Sequence, residues 1–354
     1  MSILFLPKYS REGASSRYRS FQYFPAIELA SLNFSVSPLF DDVYLAHKYQ
    51  HGRACLRDVL GALFRRIWAV LTVQQGTVVF IEYELLPYFP ALLERWMVWR
   101  GCKLVLDYDD ALFHQYDAHR NPWVRLLLGN KISHVMRQAT TVATGNCYLA
   151  DYAKRSGASR VEVIPTVVDL ARYPLKDSES DPKAFTIGWI GSPSTARYLK
   201  EIAPALSELC KGSRARVCLI GTGPIDLPKV PFEVIAWNEN TEVNEIRRFD
   251  VGIMPLPEEP WALGKCGFKL IQYMACGLPV VASPIGVNCE IVDDGVNGYL
   301  ASTTDEWVCA LKSLMADAEL RRQMGAAGRK RVEEKYCLAI TAPRFVELLK
   351  QCVA

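Results

Sequence analysis

No apolar stretch of this 354-residue sequence runs for about 18 residues without a charge or a turn residue, which excludes a helix able to span a bilayer. Charge of one sign is scarce: 41 Lys plus Arg stand against 38 Asp plus Glu, and a formal net charge of +3 is too small to argue for a nucleic-acid partner. The eleven cysteines form no CxxC pair, and no secretory signal precedes the strand-like run Ile3-Leu4-Phe5-Leu6. Buried, reduced thiols in a cytosol are therefore expected, not disulfides. There is no internal repeat and no low-complexity tract. What is present is a globular composition, 50% apolar and 22% charged, in a chain too long for one ordinary core, so two domains are expected.

Short apolar runs recur between longer helix-compatible segments: residues 3–6, 78–81, 103–106, 141–144 and 161–164, then 186–190, 217–220, 234–236, 251–254 and 279–282. That alternation predicts α/β architecture, with parallel sheets covered on both faces. The charged, Ser- and Pro-rich stretch Asp169 to Pro182 is the expected boundary, giving an N-terminal Rossmann-like domain over 1–172 and a second over 183–338. Leu56, Val59, Leu60, Leu63, Phe64, Ile67, Trp68 and Leu71 repeat at helical spacing and are expected to face the core, with Arg57, Arg65 and Arg66 off the stripe. The alternative for that stripe is a membrane surface. A capping box at Thr303 and Glu306 should open a helix whose face is Trp307, Ala310, Leu311 and Leu314. Another helix is expected from about Arg197 to Cys210, kinked by Pro204.

The most informative stretch runs from Gly264 to Ser283. It reads as a glycine-bearing loop, a helix from about Phe268 to Ala275, a stop at Gly277 and a buried strand. Such a loop presents backbone N–H groups and a positive helix end, which suit a diphosphate. The run MACGLPVVAS over 274–283, followed by Glu290 to Gly298, resembles the donor-binding half of GT-B glycosyltransferases, most of all the retaining enzymes of glycosyltransferase family 4. Ile187 to Gly191, Leu219 to Pro224 and Val163 to Asp169 resemble the same family in order, so the likeness covers about residues 141–340.

The resemblance implies two facing Rossmann-like domains, a last helix over about 339–354 crossing back to the first, and a nucleotide-sugar donor held mainly by the second domain. The two family carboxylates beside the loop are replaced by Gly264 and Gln272. Gln272 retains hydrogen-bonding groups for a ribose, Gly267 and Phe268 keep the loop amides, and Lys265 and Lys269 add charge for phosphate. At Gly191, Ser192 replaces a family Arg, whereas Arg197 occupies the family's second cationic position and is the expected electrostatic catalyst. Thr195 and Ser192 offer hydroxyls, Thr222 and Gly223 end a strand, and Trp237 is placed to contact a base.

In the first domain, residues 103–106 form a buried strand that delivers Asp107, Asp109, Asp110 and His114 to its C-terminal end. Asp109 or Asp110 is expected to bind or activate the acceptor, with His114 as the rival base. The loop after the first strand brings Gly13, Ser16, Arg17 and Arg19, candidates for a donor phosphate or an anionic acceptor. The expected activity is retaining transfer of a hexose from a UDP-sugar, with GDP- or dTDP-sugars as alternatives, to a saccharide or lipid-linked saccharide in polysaccharide, lipopolysaccharide or glycan synthesis. The resemblance implies front-face attack assisted by the leaving phosphate, no bound cofactor and no metal. A basic, aromatic first domain would suit the cytoplasmic face of a membrane. The rival readings are an inactive GT-B relative that binds or assembles, and a nucleotide-sugar 2-epimerase.

Overall fold

The expected strands all form in a computed structural model of the chain, which describes residues 2–51, 55–176, 184–211 and 215–353. Residues 177–182 of the expected linker, and the expected domain start at 183, lie outside the described residues. Two compact units are present: residues 1–166 with 264–266 and 338–354, and residues 167–263 with 267–337.

The first unit is built on a parallel sheet of β1 (Ile3–Leu6), β2 (Phe34–Val36), β3 (Val78–Glu82), β4 (Lys103–Tyr108), β5 (Thr141–Thr144) and β6 (Val161–Val163). Its order is β2-β1-β3-β4-β5-β6. β3 and β5 are buried at every residue, which is why neither alternates apolar and polar positions along its length. β2 does not stand out as a strand in the sequence because it is three residues long, half exposed and at the sheet edge. The Leu338–Val353 helix belongs to this unit and stacks Phe345 on Tyr23 with ring centroids 4.3 Å apart.

The second sheet contains β7 (Phe185–Ile190), β8 (Ala215–Ile220), β9 (Phe232–Ile235), β10 (Val251–Met254), β11 (Val280–Ala282) and β12 (Gly298–Leu300). They are parallel in the order β12-β11-β10-β7-β8-β9. β12 is another short edge strand that the apolar runs do not predict. The capping box forms: the Glu306 amide donates to Thr303 Oγ1 at 3.2 Å, the Thr303 amide donates to Glu306 Oε2 at 3.1 Å, and Trp307, Ala310, Leu311 and Leu314 are buried.

In each sheet the winding direction reverses once, between β1 and β3 and between β7 and β10. Ligands of open parallel sheets bind beyond the C-terminal strand ends at such a reversal. The loops after β1, β3, β7 and β10 are therefore the places to look.

Three expectations are corrected. Of the expected stripe, Val59, Leu63 and Ile67 are half-buried and pack against the core, but Leu56, Leu60, Phe64, Trp68 and Leu71 are exposed, and the residues the Leu56–Leu71 helix buries fully are Ala62, Arg66 and Val70. The physical reason is Arg66. Its guanidinium donates to Pro7 O at 2.7 Å, Ser37 O at 3.2 Å and Leu6 O at 3.3 Å, satisfying carbonyls at the end of β1 and just after β2. Pro204 does not kink a long helix. The chain makes a 3-10 segment over Arg197–Ile202, and a new helix starts at Ala203 with Pro204 in its first turn, where the missing N–H costs nothing. No disulfide joins the cysteines, but Cys147, Cys289 and Cys309 are exposed and not buried.

Candidate active site

Four loops of the first unit converge at its sheet reversal. The chain leaves β1, turns through Gly13 and enters the Ala14–Arg19 helix. A β-carbon on Gly13 would lie 2.3 Å from Tyr9 Cβ, so this turn requires glycine. Ser15 and Ser16 both donate to the carboxylate of Glu82 at the end of β3, Ser16 at 2.5 Å, and the Lys8 amide adds a third bond at 3.1 Å. Burial raises the Glu82 pKa against these bonds.

Tyr83 follows with φ 64°, a left-handed conformation that costs a non-glycine residue roughly 1–2 kcal/mol. This places its hydroxyl on Asp109, to which it donates. Burial and the neighbouring Asp110 push the Asp109 carboxyl up to about 7. Asp110 accepts from Lys265 Nζ at 2.8 Å. The 264–266 loop is held in place by Asn146, whose Nδ2 donates to Lys265 O at 3.0 Å, and by Cys266 Sγ, which donates to Asp109 O at 3.2 Å. Burial, with Asp109 alongside, raises the Cys266 thiol far above its usual range.

The other expected residues of this unit are placed differently. Arg19 is buried and committed within the unit: it forms a two-bond ion pair with Asp107 and donates to Ile164 O at 2.6 Å. Ser16 is committed to Glu82. Arg17 is also buried, its guanidinium 5.0 Å from the Tyr18 ring centroid. His114 lies between Asp117, 3.0 Å from Nδ1, and the Tyr148 hydroxyl, 2.8 Å from Nε2.

At the reversal of the second unit, three glycine turns meet. The Gly191 amide donates to Ile220 O and the Gly221 amide to Ile235 O, so each turn is tied to the next strand. A β-carbon on Gly221, which has φ 76°, would lie 2.4 Å from Gly191 O and 3.2 Å from Trp237 Cβ. One on Gly191 would meet the Trp189 ring at 2.5 Å and Lys269 Cε at 2.8 Å. Lys269 thus crosses directly over the Gly191 turn, its Nζ 5.3 Å from the Trp189 ring centroid. Its helix, Phe268–Ala275, starts from Gly267 at φ 65°, where Ile291 leaves no space for a side chain. Tyr273 accepts from the Ile190 amide at 2.9 Å and fixes that helix to the end of β7.

Around this centre, Thr222 is buried and donates to Gly223 O, and Trp237 Nε1 donates to Glu242 Oε2 at 2.7 Å, which sets the plane of the indole. The Thr195 hydroxyl donates to Ser192 O, and the Ser192 and Ser194 hydroxyls are 2.8 Å apart. Gln272 is buried and donates to Tyr173 Oη at 3.0 Å. Arg197, 64% exposed, is 3.5 Å from Glu259 Oε1 and 3.3 Å from Tyr198 Oη.

Glu82, Tyr83 and Ser15 are not among the residues expected from sequence. The signal was available: Ile81-Glu82-Tyr83-Glu84 ends an apolar strand with charge, the feature that singled out Asp107 to Asp110.

Residues 182–317 match the family model described as glycosyl transferases group 1. Among solved structures, Anabaena HepE in complex with UDP-glucose superposes with a TM-score of 0.74 at 16% identity, covering 99% of this chain and 100% of that one. The chain has the GT-B fold, and its residues 182–317 are similar to the glycosyl transferases group 1. A sucrose-phosphate synthase from Thermosynechococcus elongatus shares the GT-B fold with a TM-score of 0.70 at 15% identity, over 99% of both chains. In sequence, this GT-B chain is 26% identical over 150 residues to the N-acetyl-alpha-D-glucosaminyl L-malate synthase of Bacillus anthracis, 40% of this chain and 38% of that one. It is 27% identical over 172 residues to the alpha-maltose-1-phosphate synthase of Mycolicibacterium smegmatis, 46% of this chain and 40% of the relative. The match therefore spans about two fifths of the length of these curated relatives.

Proposed function

We propose that this chain transfers a hexose from a nucleotide-diphosphate sugar to a hydroxyl of a saccharide or lipid-linked saccharide, with retention at the anomeric carbon. The observation that carries the reading is the meeting of Gly191, Gly221 and Lys269 at the reversal of the second sheet, inside the segment that matches the family model. Three turns that exclude side chains, one lysine and a helix N-terminus form a surface suited to a diphosphate. Lys269 then stabilises the negative charge that grows on the leaving diphosphate. Arg197, tethered at the surface by Glu259, is the second cation. Trp237 offers a face for the base, and Gln272 acts by holding Tyr173. UDP is the favoured nucleotide because it is the one named with the Anabaena HepE structures.

Asp109 receives or orients the acceptor hydroxyl proton. A carboxyl near 7 is matched to that task, since it accepts a proton readily and releases it again. Tyr83 aims Asp109, and the Lys265–Asp110 pair fixes the loop beside it. The test is consumption of UDP-glucose and other UDP-hexoses in the presence of a panel of saccharide acceptors, followed by mass spectrometry and by NMR of the product's anomeric proton. Formation of an α-linked product that Asp109→Asn abolishes supports the reading. Absence of acceptor-dependent donor consumption across UDP-, GDP- and dTDP-sugars contradicts it.

A further inference from the structure

The Leu56–Leu71 helix is apolar on two sides: Val59, Leu63 and Ile67 pack against the core, and a second apolar side is turned away from it. Leu56, Leu60, Phe64, Trp68 and Leu71 follow one another at steps of four, four, four and three residues, which keeps them on one side, and Phe64 and Trp68 are 69% and 63% exposed. The Leu92–Trp99 helix packs beside it and exposes Leu92 and Trp99, the latter at 81%. From Leu92 the apolar surface continues through Phe89 and Tyr88, whose amide donates to Tyr116 Oη and whose ring meets His119. The His114–Asp117 helix that carries Tyr116 packs on the Pro122–Leu128 helix, which exposes Trp123, Leu126 and Leu127. Twelve of the eighteen large apolar side chains exposed among the described residues fall between Leu56 and Leu127. Such a concentration is unlike the scattered single apolar residues of an ordinary surface.

The charge on the same stretch is one-sided. Arg57, Arg65, Arg95, Arg120 and Arg125 are exposed there, against one exposed carboxylate, Asp117. Arg65 shares its charge with Asp41 at 2.7 Å. Large apolar side chains and tryptophans interleaved with arginine suit the zone where acyl chains meet headgroups: the rings enter, and the guanidinium groups stay among the phosphates. No helix among the described residues is long and apolar enough to cross a membrane, so the face would lie along the surface. A second copy of the chain fits less well, because a two-fold interface would bring two sets of these arginines together with Asp117 as the one exposed carboxylate of the stretch to offset them.

We infer that this face of the first unit docks on an anionic bilayer surface. The whole chain is tested by co-sedimentation with vesicles of phosphatidylcholine alone and of phosphatidylcholine with phosphatidylglycerol at roughly 7:3, at low and high salt. Binding should require the anionic lipid, fall steeply with salt, and shift tryptophan emission to the blue. Phe64→Ser with Trp68→Ser should lower the partition coefficient by about tenfold or more, because less apolar area enters the bilayer. Arg57→Glu with Arg95→Glu, which leaves the apolar face intact, should lower it by at least about fivefold per arginine. All four side chains point to solvent, so both variants should keep the parent melting temperature. Failure of the parent to bind the anionic vesicles would overturn the inference. So would binding unaffected by either variant, or a lipid-free dimer that Phe64→Ser with Trp68→Ser dissociates, since a second copy would then be the occupant.

Discussion

Lys265 Nζ donates to Asp110 Oδ1 at 2.8 Å, joining residues 155 positions apart in the sequence. The bond has a consequence for Gly264, the position at which the family resemblance leads one to expect a carboxylate. A β-carbon at Gly264 would lie 2.5 Å from Ala111 Cβ and 2.6 Å from the Ala111 amide nitrogen. The loop can carry Lys265 onto Asp110 only because its neighbour has no side chain.

Gly264→Glu should therefore fail to restore a family-like site. We expect it to displace the loop from Ala111, break the Lys265–Asp110 bond, and lower turnover at least as much as Lys265→Ala does. Comparing the two variants in acceptor-dependent turnover checks this; higher activity in Gly264→Glu would show that the loop has room to relax.

The proposed role of Asp109 makes turnover depend on pH with a definite sign. The base form is required, so kcat/KM should rise as pH increases through about 7. Asp110, Arg19, Glu82 and Tyr83 face the group, and Lys265 pairs with Asp110 beside it. Asp109→Asn should remove the limb and lower kcat by about a hundredfold or more. Stability gives a second readout. A carboxyl raised above its unfolded value of about 3.9 stabilises the fold at low pH and loses that contribution as pH rises through about 7. Melting curves of Asp109→Asn should gain on the parent between pH 5 and pH 8, and an unchanged gap would contradict the raised pKa.

Lys269 and Arg197 are predicted to differ. Lys269 crosses the Gly191 turn, whereas Arg197 is exposed and held by Glu259. Lys269→Ala should weaken nucleoside diphosphate affinity by about tenfold or more, the scale of a single charge-assisted hydrogen bond, and Arg197→Ala by less. Titration calorimetry of the two variants with the same diphosphate decides the ranking.

Arg19 and Asp107 form a buried pair, so their substitution should affect folding and not ligand binding. Arg19→Met leaves Asp107 buried and unpaired, and should cost about 3–5 kcal/mol in chemical denaturation. Arg19→Met with Asp107→Leu should cost less than the single change. Loss of nucleotide affinity in a folded Arg19 variant would return this residue to a phosphate-binding role.

Much of the fold was legible because both sheets are parallel and buried, so their central strands stand out as apolar runs between helices. The Gly264 to Ser283 stretch was legible for a local reason: loop, helix, stop and strand follow directly in the chain. Two kinds of feature were hidden. Pairings between distant segments, such as Tyr83 with Asp109, leave no trace in spacing, and the strained Tyr83 backbone breaks no local pattern. The Leu56–Leu71 helix misled because its periodicity identifies an apolar face but not where that face points. The carbonyls ending β1 and following β2 draw Arg66 inward, which leaves Leu56, Leu60 and Leu71 on the outer side.

The central claim, that the second unit offers a nucleoside diphosphate site at Gly191, Gly221 and Lys269, is tested most directly by calorimetric titration of the whole chain with UDP, GDP and dTDP. Saturable binding of UDP, tighter than the other two and weakened by Lys269→Ala, is the result expected. Binding of none of the three, or UDP binding that Lys269→Ala leaves unchanged, would contradict the account.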